Sequence, residues 1–313
     1  MNNMKNVSAS PHTRDFATTS GIMRDVFLAL LPASIYGVYN FGIRAAAVLL
    51  ISIVSAVLAE YLYQKCMGLK VTISDFSAAV TGLLLGMNLP HTVPLWMPVL
   101  GSVFAIIIVK QLFGGLGQNF MNPALAARCF LMISFAGQMT TFTYDGVTGA
   151  TPLAYVKSGD LAELNIKDMF MGSIPGTIGE TSALFLLIGA LYLIVRKVIT
   201  IRIPFTYIAT LIIFVTLFGG HGFDLKYIAA QVFGGGLLLG AFFMATDYVT
   251  SPITVKGQYV YGVLLGILTG VFRLFGATAE GVSYSIIICN LLVPLIEKVT
   301  MPTALGMGGK QHE

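Results

Sequence analysis

Charge is what this sequence has least of. Of its 313 residues only 10% are Asp, Glu, Lys or Arg, against 56% hydrophobic, and the mean hydropathy is +0.83. Soluble globular domains carry about 25% charged residues, so a soluble fold is excluded. Cysteine is scarce as well. Cys66, Cys129 and Cys289 lie far apart, in or beside apolar runs, and no CxxC pair occurs. That argues against a disulfide scaffold and against an iron–sulfur cluster held by this chain alone. The expectation is three small core residues. The four histidines, His12, His91, His221 and His312, have no metal-ligand spacing, so no metal site is expected. There is no nucleotide-binding loop, nucleophile triad or evident general base, so no catalytic residue is assigned, and nothing points to nucleic acid. The polar segment 1–24 has no apolar signal-peptide core; the run from Val26 is expected to act as the insertion signal.

What is present is a series of apolar runs. A helix needs about 20 apolar residues to cross about 30 Å of hydrocarbon. Ten spans are read, at 26–42, 45–63, 75–90, 95–110, 124–140, 181–196, 203–218, 228–246, 259–275 and 282–299. The expected fold is therefore an all-α polytopic membrane protein. With both termini placed in the cytoplasm, twelve of the 18 Lys and Arg residues fall in inward segments, five in outward segments and Arg128 within a span. Cytoplasmic loops carry the excess of positive charge. The expected organisation is a cytoplasmic tail (1–24), a first five-helix repeat (25–140), an extracytoplasmic loop (141–180), a second five-helix repeat (181–299) and a cytoplasmic tail (300–313).

The repeat rests on two anchors. GLLLG occurs at Gly82–Gly86 and Gly236–Gly240, an offset of 154, and LFG at Leu112–Gly114 and Leu274–Gly276, an offset of 162. Copies five spans apart are inverted in the membrane. Both GLLLG helices run into breakers, "MNLPHTVP" from Met87 and "MATDYVTSP" from Met244. Irregular backbone at membrane depth must line a cavity or be buried in protein, and inverted repeats place ligands where matching helices are interrupted. A ligand site between the halves is expected.

Two stretches carry candidate chemistry. In "KQLFGGLGQNFMNPALAARCF", Lys110 to Phe130, Asn119 and Asn122 offer amide donors and acceptors, and Asn122 with Pro123 also reads as a helix N-cap. Arg128 lies within a span, where a guanidinium usually faces a cavity or a partner. It is expected to line a cofactor cavity, with a structural ion pair to a carboxylate as the alternative. By the LFG offset it matches Asn290, which suggests a shared cavity. Glu180 and Glu280 precede spans, where helix N-termini stabilise negative charge. Asp75, Asp247 and Glu297 are candidates for an ion pathway. The second stretch is "DGVTGATPLAYVK", residues 145 to 157, a polar turn with a hydroxyl, Thr151, at its centre.

With "DFSAAVTGLLLGMNLP", "PGTIGETSAL", "GGGLLLGAFFMATDYVTSP" and "RLFGATAEGVSYSIIICNLLVPLIE", these make six ordered motifs over residues 24 to 302. They resemble the D subunits of the Rnf ion-translocating electron transport complex, which are related to the B subunits of the Na+-translocating NADH:quinone reductase. The resemblance implies that Thr148-Gly149-Ala150-Thr151 is a flavinylation motif, with FMN carried on Thr151 through a phosphoester and Pro152 stiffening the turn. It implies a second flavin, riboflavin, held without a covalent bond. It also implies a cytoplasmic (inner) membrane location in a bacterium or archaeon, coupling to Na+ or H+, and partner subunits that include an extracytoplasmic flavin carrier and iron–sulfur proteins. Two rivals share the composition: a cofactor-free inverted-repeat transporter and a purely structural assembly subunit.

Overall fold

Thr18 accepts a hydrogen bond from the Gly21 amide at 3.1 Å and so starts α1 (Thr19–Phe41) upstream of the apolar run at Val26. The computed structural model describes residues 18–144, 147–149, 151–159, 164–276 and 280–302. Gly42, at φ 75°, turns the chain directly into α2 (Ile43–Cys66). After a 3₁₀ turn at Ile73–Asp75, α3 (Ser77–Met87) stops at Asn88. The chain resumes as α4 (Trp96–Val103), which continues as a π-helical stretch, Phe104–Gln111. Asn122 then caps α5 (Pro123–Ser134), its Oδ1 accepting from the amides of Ala124 at 3.1 Å and Leu125 at 3.3 Å.

A short α6 (Ala136–Met139) leads into the polar segment. There Thr143–Tyr144 pairs antiparallel with Val147–Thr148, followed by α7 (Pro152–Ser158) and α8 (Ile166–Met171). The second half contains α9 (Ala183–Val195), α10 (Arg202–Phe218), α11 (Leu225–Phe233) and α12 (Leu237–Leu239). A π-helical stretch, Gly240–Met244, extends α12, and the chain is bent by 57° between α11 and this segment. It closes with α13 (Val255–Phe275) and α14 (Val282–Thr300). Apart from the two-residue pairing, the described secondary structure is helical.

Among the described residues four helices are long and apolar enough to cross a membrane: α1, α2, α13 and α14, or five spans if the bent pair at 225–244 counts as one. The other apolar segments form helices of 10 to 17 residues, Ser77–Met87, Trp96–Gln111, Pro123–Ser134, Ala183–Val195 and Arg202–Phe218. Every one of the ten expected segments falls on one of these helices. The shorter ones are cut by breakers, Asn88 and Pro90 after α3 and Asn122 and Pro123 before α5.

The core forms where helices approach closely. α2 holds α3 and α4, α10 packs along α13, α1 meets α9, and α5 meets α14. Small residues permit this. A Cβ on Gly82 of α3 would lie 2.6 Å from the Ser52 carbonyl oxygen of α2, and one on Gly266 of α13 would lie 2.5 Å from Thr210 Cβ of α10. Overpacking a tight contact costs about 1–3 kcal/mol. Gly266→Val is expected to lower the thermal midpoint of the detergent-solubilised protein by several degrees. Gly137→Ala, at a position with open space around it, should leave the midpoint unchanged.

Candidate functional site

The two interruptions meet at the centre of the molecule. At the end of α3 the Met87 carbonyl accepts from the Gly179 amide at 2.8 Å, and the Leu89 carbonyl from the Ile178 amide at 3.1 Å. The segment before α9 thus satisfies backbone that lipid could not. Asn88 places its amide nitrogen 3.8 Å from the Met244 sulfur, and Asn122 donates to the Met244 carbonyl at 3.5 Å. Both breaks fall where the sequence placed them, and they face each other.

Arg128, on α5 and 3% exposed, lies beside this junction. Its Nη1 donates to Asn88 Oδ1 at 2.6 Å and to Glu180 Oε1 at 2.7 Å, and its Nη2 forms an ion pair with Glu280. One guanidinium therefore joins α5, the end of α3, the segment before α9 and the start of α14. A Cβ on Gly236 would lie 2.5 Å from Glu180 Oε1 and 3.4 Å from Arg128 Nη1, so glycine is what lets α12 start here. The cavity that Arg128 shares with Cys129, Arg273, Glu280 and Tyr284 is about 20 Å³, room for about one water and too little for a flavin ring. Arg128 thus has the carboxylate partners of the alternative reading. Asn290, its match by offset, does not pair with Arg128: its amide nitrogen donates to the Tyr261 hydroxyl at 2.7 Å and its oxygen accepts from the Asn122 backbone amide at 3.2 Å.

A separate cleft of about 80 Å³ opens between the halves. Asn119, Asn122, Pro123, Ser77 and Lys110 line one side; Phe242, Phe243, Asp247, Tyr248 and Val249 line the other. Asn119 donates to the Met121 carbonyl at 3.0 Å, and Asp247 accepts from Thr250 Oγ1 at 3.2 Å. The structure brings Asn119, Asn122 and Asp247 together here and leaves Arg128 outside. The cleft carries amide groups at one edge and phenyl rings at another.

Lys110 also belongs to a buried network that the sequence did not reveal. Its ammonium donates to Glu60 at 2.8 and 3.0 Å and to Ser77 Oγ at 2.6 Å. Ser77 donates in turn to Asp75 Oδ1 at 2.7 Å, and Gln111 donates to Glu60 at 2.9 Å. Glu60 lies in the apolar run 45–63, and such an intramembrane carboxylate is itself a signal; its partner fifty residues away is not readable from spacing. Asp75 joins this network, Asp247 lines the cleft, and Glu297 accepts from the Ile253 amide at 3.0 Å near the end of α14. The three ion-pathway candidates are therefore not brought together.

The threonine loop lies in the polar segment. Thr143 and Thr148 are paired across the two-residue ladder, and the Gly149 amide donates to the Phe142 carbonyl at 3.2 Å. Thr143 Oγ1 meets His91 Nε2 at 3.0 Å, tying the loop to the turn after α3. Burial, then the charge of Arg44, hold the His91 imidazole below its ordinary pKa. Ala150 lies outside the described residues. Thr151 stands at the N-cap of α7, half-buried, with Pro152 at the first helical position. Its carbonyl accepts from Ala154 at 2.8 Å, while its hydroxyl makes no capping bond. Leu153, two residues on, is buried against Gly234 and Gly235, just before the GLLLG helix.

The model of the NQR2, RnfD, RnfE family matches residues 6–306. The chain belongs to this family. It is 48% identical, over 96% of its length and 95% of the relative's, to the D subunit of the Na(+)-translocating ferredoxin:NAD(+) oxidoreductase complex of Acetobacterium woodii. It is 44% identical to the D subunit of the proton-translocating ferredoxin:NAD(+) oxidoreductase complex of Clostridium ljungdahlii, over 97% of each chain. A further relative, the D subunit of the ion-translocating oxidoreductase complex of Aliivibrio salmonicida, is 34% identical over 96% of this chain and 98% of its own.

In this family member the arginine junction makes a direct prediction. Removing one partner of a buried ion pair costs about 3–5 kcal/mol, because the other charge is left unpaired. Arg128→Leu should give protein that no longer elutes as a single species in detergent. Combining it with Glu180→Gln and Glu280→Gln should recover part of the thermal stability. Damage by the triple variant equal to that of Arg128→Leu alone would remove the ion pairs from the account.

Proposed function

We propose that this chain is the flavin-carrying membrane subunit of an ion-translocating ferredoxin:NAD+ oxidoreductase complex of the Rnf type. It carries FMN as a phosphoester on Thr151 and a second, non-covalent flavin, riboflavin, in the cleft at Asn119 and Asn122. The observation that carries this reading is the Thr151 hydroxyl. It completes the Thr-Gly-Ala-Thr motif, occupies an N-cap position and is not spent on the capping bond that threonine usually makes there. A phosphodiester keeps a negative charge, which suits a polar loop and not lipid. Pro152 and the buried Leu153 fix the loop behind it.

Bound flavins accept and pass on electrons; the chain's own residues hold and surround them. Asn119 and Asn122 offer hydrogen bonds to the polar edge of a ring, Phe242 and Phe243 offer apolar contact, and Asp247 lines the same cleft. Relatives named for Na+ and for H+ are of similar identity, so the coupled ion is one of these two. The partners are the remaining subunits of the complex, among them an extracytoplasmic flavin carrier and iron–sulfur proteins, together with membrane lipid.

Ten spans in two inverted repeats of five accommodate the helices described. The first helix of one half, α1, packs on the first of the other, α9, and the last, α5, on the last, α14, an arrangement compatible with a two-fold relation. The Lys and Arg bias puts both termini in the cytoplasm and the loop 141–180 outside it.

Thr151→Ala is expected to abolish flavin fluorescence on the denatured chain while leaving the amount of membrane-inserted protein unchanged. A flavin adduct persisting on the variant would sink the assignment and move attention to Thr148. Loss of the adduct with normal insertion separates the carrier from a cofactor-free transporter. Orientation is checked with single cysteines in a cysteine-free background. Ser158→Cys should react with an impermeant thiol reagent in intact cells, and Lys197→Cys only after the membrane is opened.

A further inference from the structure

Arg273 is a second buried guanidinium, 4% exposed, near the end of α13. Its Nη1 donates to the Gln231 side-chain oxygen at 3.1 Å and to the Gln231 carbonyl, and its Nη2 to the Gly234 carbonyl at 3.1 Å. Its Nε is buried with no hydrogen-bond partner among the described residues. All of these partners are neutral. Among the described residues no carboxylate forms an ion pair with Arg273, while Arg128, across the same small cavity, takes both Glu180 and Glu280. The hydrogen-bond acceptors of Arg273 are amide oxygens, and Glu280, which lines the same small cavity, acts on it at longer range without a direct ion pair; within membrane proteins such a charge normally faces a partner.

The position of this charge is informative. A Cβ on Gly235 would lie 2.5 Å from Leu153 Cδ1 and 3.5 Å from Arg273 Nη2. Arg273 and Leu153, which lies in the first turn of the helix that Thr151 begins, therefore close on Gly235 together. It also lines an open cavity of about 300 Å³ beside that helix, together with Leu153, Lys157, Tyr227 and Gln231. Lys157 donates to the Gly276 carbonyl at the rim. The cavity is lined by an arginine and a lysine and by no described carboxylate, so it favours an anion.

We propose that Arg273 is a positioning residue for the flavin on Thr151, a fixed positive charge that makes this flavin easier to reduce. The inference rests on the assignment of Thr151 above. One-electron reduction of a flavin bound there, the electron coming from the ferredoxin side of the complex, would add one negative charge to the ring and would form or break no bond to the protein. A guanidinium held close in a poorly solvated setting stabilises that added charge more than water would. The amide oxygens of Gln231 and Gly234 orient the guanidinium without neutralising it.

The test uses the whole complex in detergent, titrated with redox mediators at an electrode. The transition missing from Thr151→Ala identifies the flavin to follow. Arg273→Gln should reduce the equilibrium constant for its one-electron reduction about tenfold, which is about 59 mV to lower potential. Arg273→Lys, which keeps the charge and loses the bidentate hydrogen bonding, should recover most of that shift. Gln231→Glu keeps Arg273 and its scaffold but sets a carboxylate against it. It should lower the potential in the same direction, and it decides the matter if Arg273→Gln fails to assemble. An unchanged potential in Gln231→Glu or Arg273→Gln, with the adduct present, would overturn the inference alone. A shift in Arg273→Lys as large as in Arg273→Gln would also overturn it, because the residue would then act as a scaffold. No covalent flavin on the unaltered chain would overturn the assignment of Thr151, and this inference with it.

Discussion

The ion pairing of Arg128 is the constraint on which the rest of the structure depends. The carboxylates that pair the guanidinium on α5 come from the segment before α9 and the start of α14. Satisfying it fixes where the second half sits on the first. The Met87 and Leu89 carbonyls then find the amides of Gly179 and Ile178, and Gly236 finds the one approach that its missing side chain allows. Charge pairing sets the register, backbone pairing completes it, and small residues permit the distance.

This register creates two distinct places on either side of the junction. The cleft at Asn119 and Asn122 exists because α5 begins with a cap whose other amide group reaches the second half at Met244. The threonine loop is held from below by Leu153 on Gly234 and Gly235, the same glycines that bend the chain by 57° before α12. A single feature, the break before GLLLG, thus supports the loop on one side and admits Glu180 on the other.

Local features are legible in the sequence and long-range pairings are not. The breaks at Met87 and Met244 can be read because Asn, Pro and Asp follow an apolar run, and the α5 start because Asn122 and Pro123 are adjacent. The start of α1 escapes such a reading, since Thr18 caps it within a polar stretch with no periodicity. The carboxylates at Glu180 and Glu280 stand out at their helix starts, but their common partner depends on how the halves meet. Glu60 and Lys110 are hidden for the same reason. Counting matches Asn290 to Arg128, whereas the structure places it between Tyr261 and the Asn122 backbone amide. Span number is the hardest feature to read, because helices shortened by breakers and bends do not reach the length that a hydropathy run suggests.

The arginine junction also has a consequence for biogenesis. Synthesis runs from the N-terminus, so α5 is complete before either carboxylate partner exists. During that interval the bilayer or the insertion machinery must tolerate an arginine whose only available native partner is Asn88. The first half is thus held in an unfinished state until Glu180 emerges, and again until Glu280 does. The last helix to be made thus brings Glu280, the second of the two carboxylates, to a guanidinium synthesised 152 residues earlier.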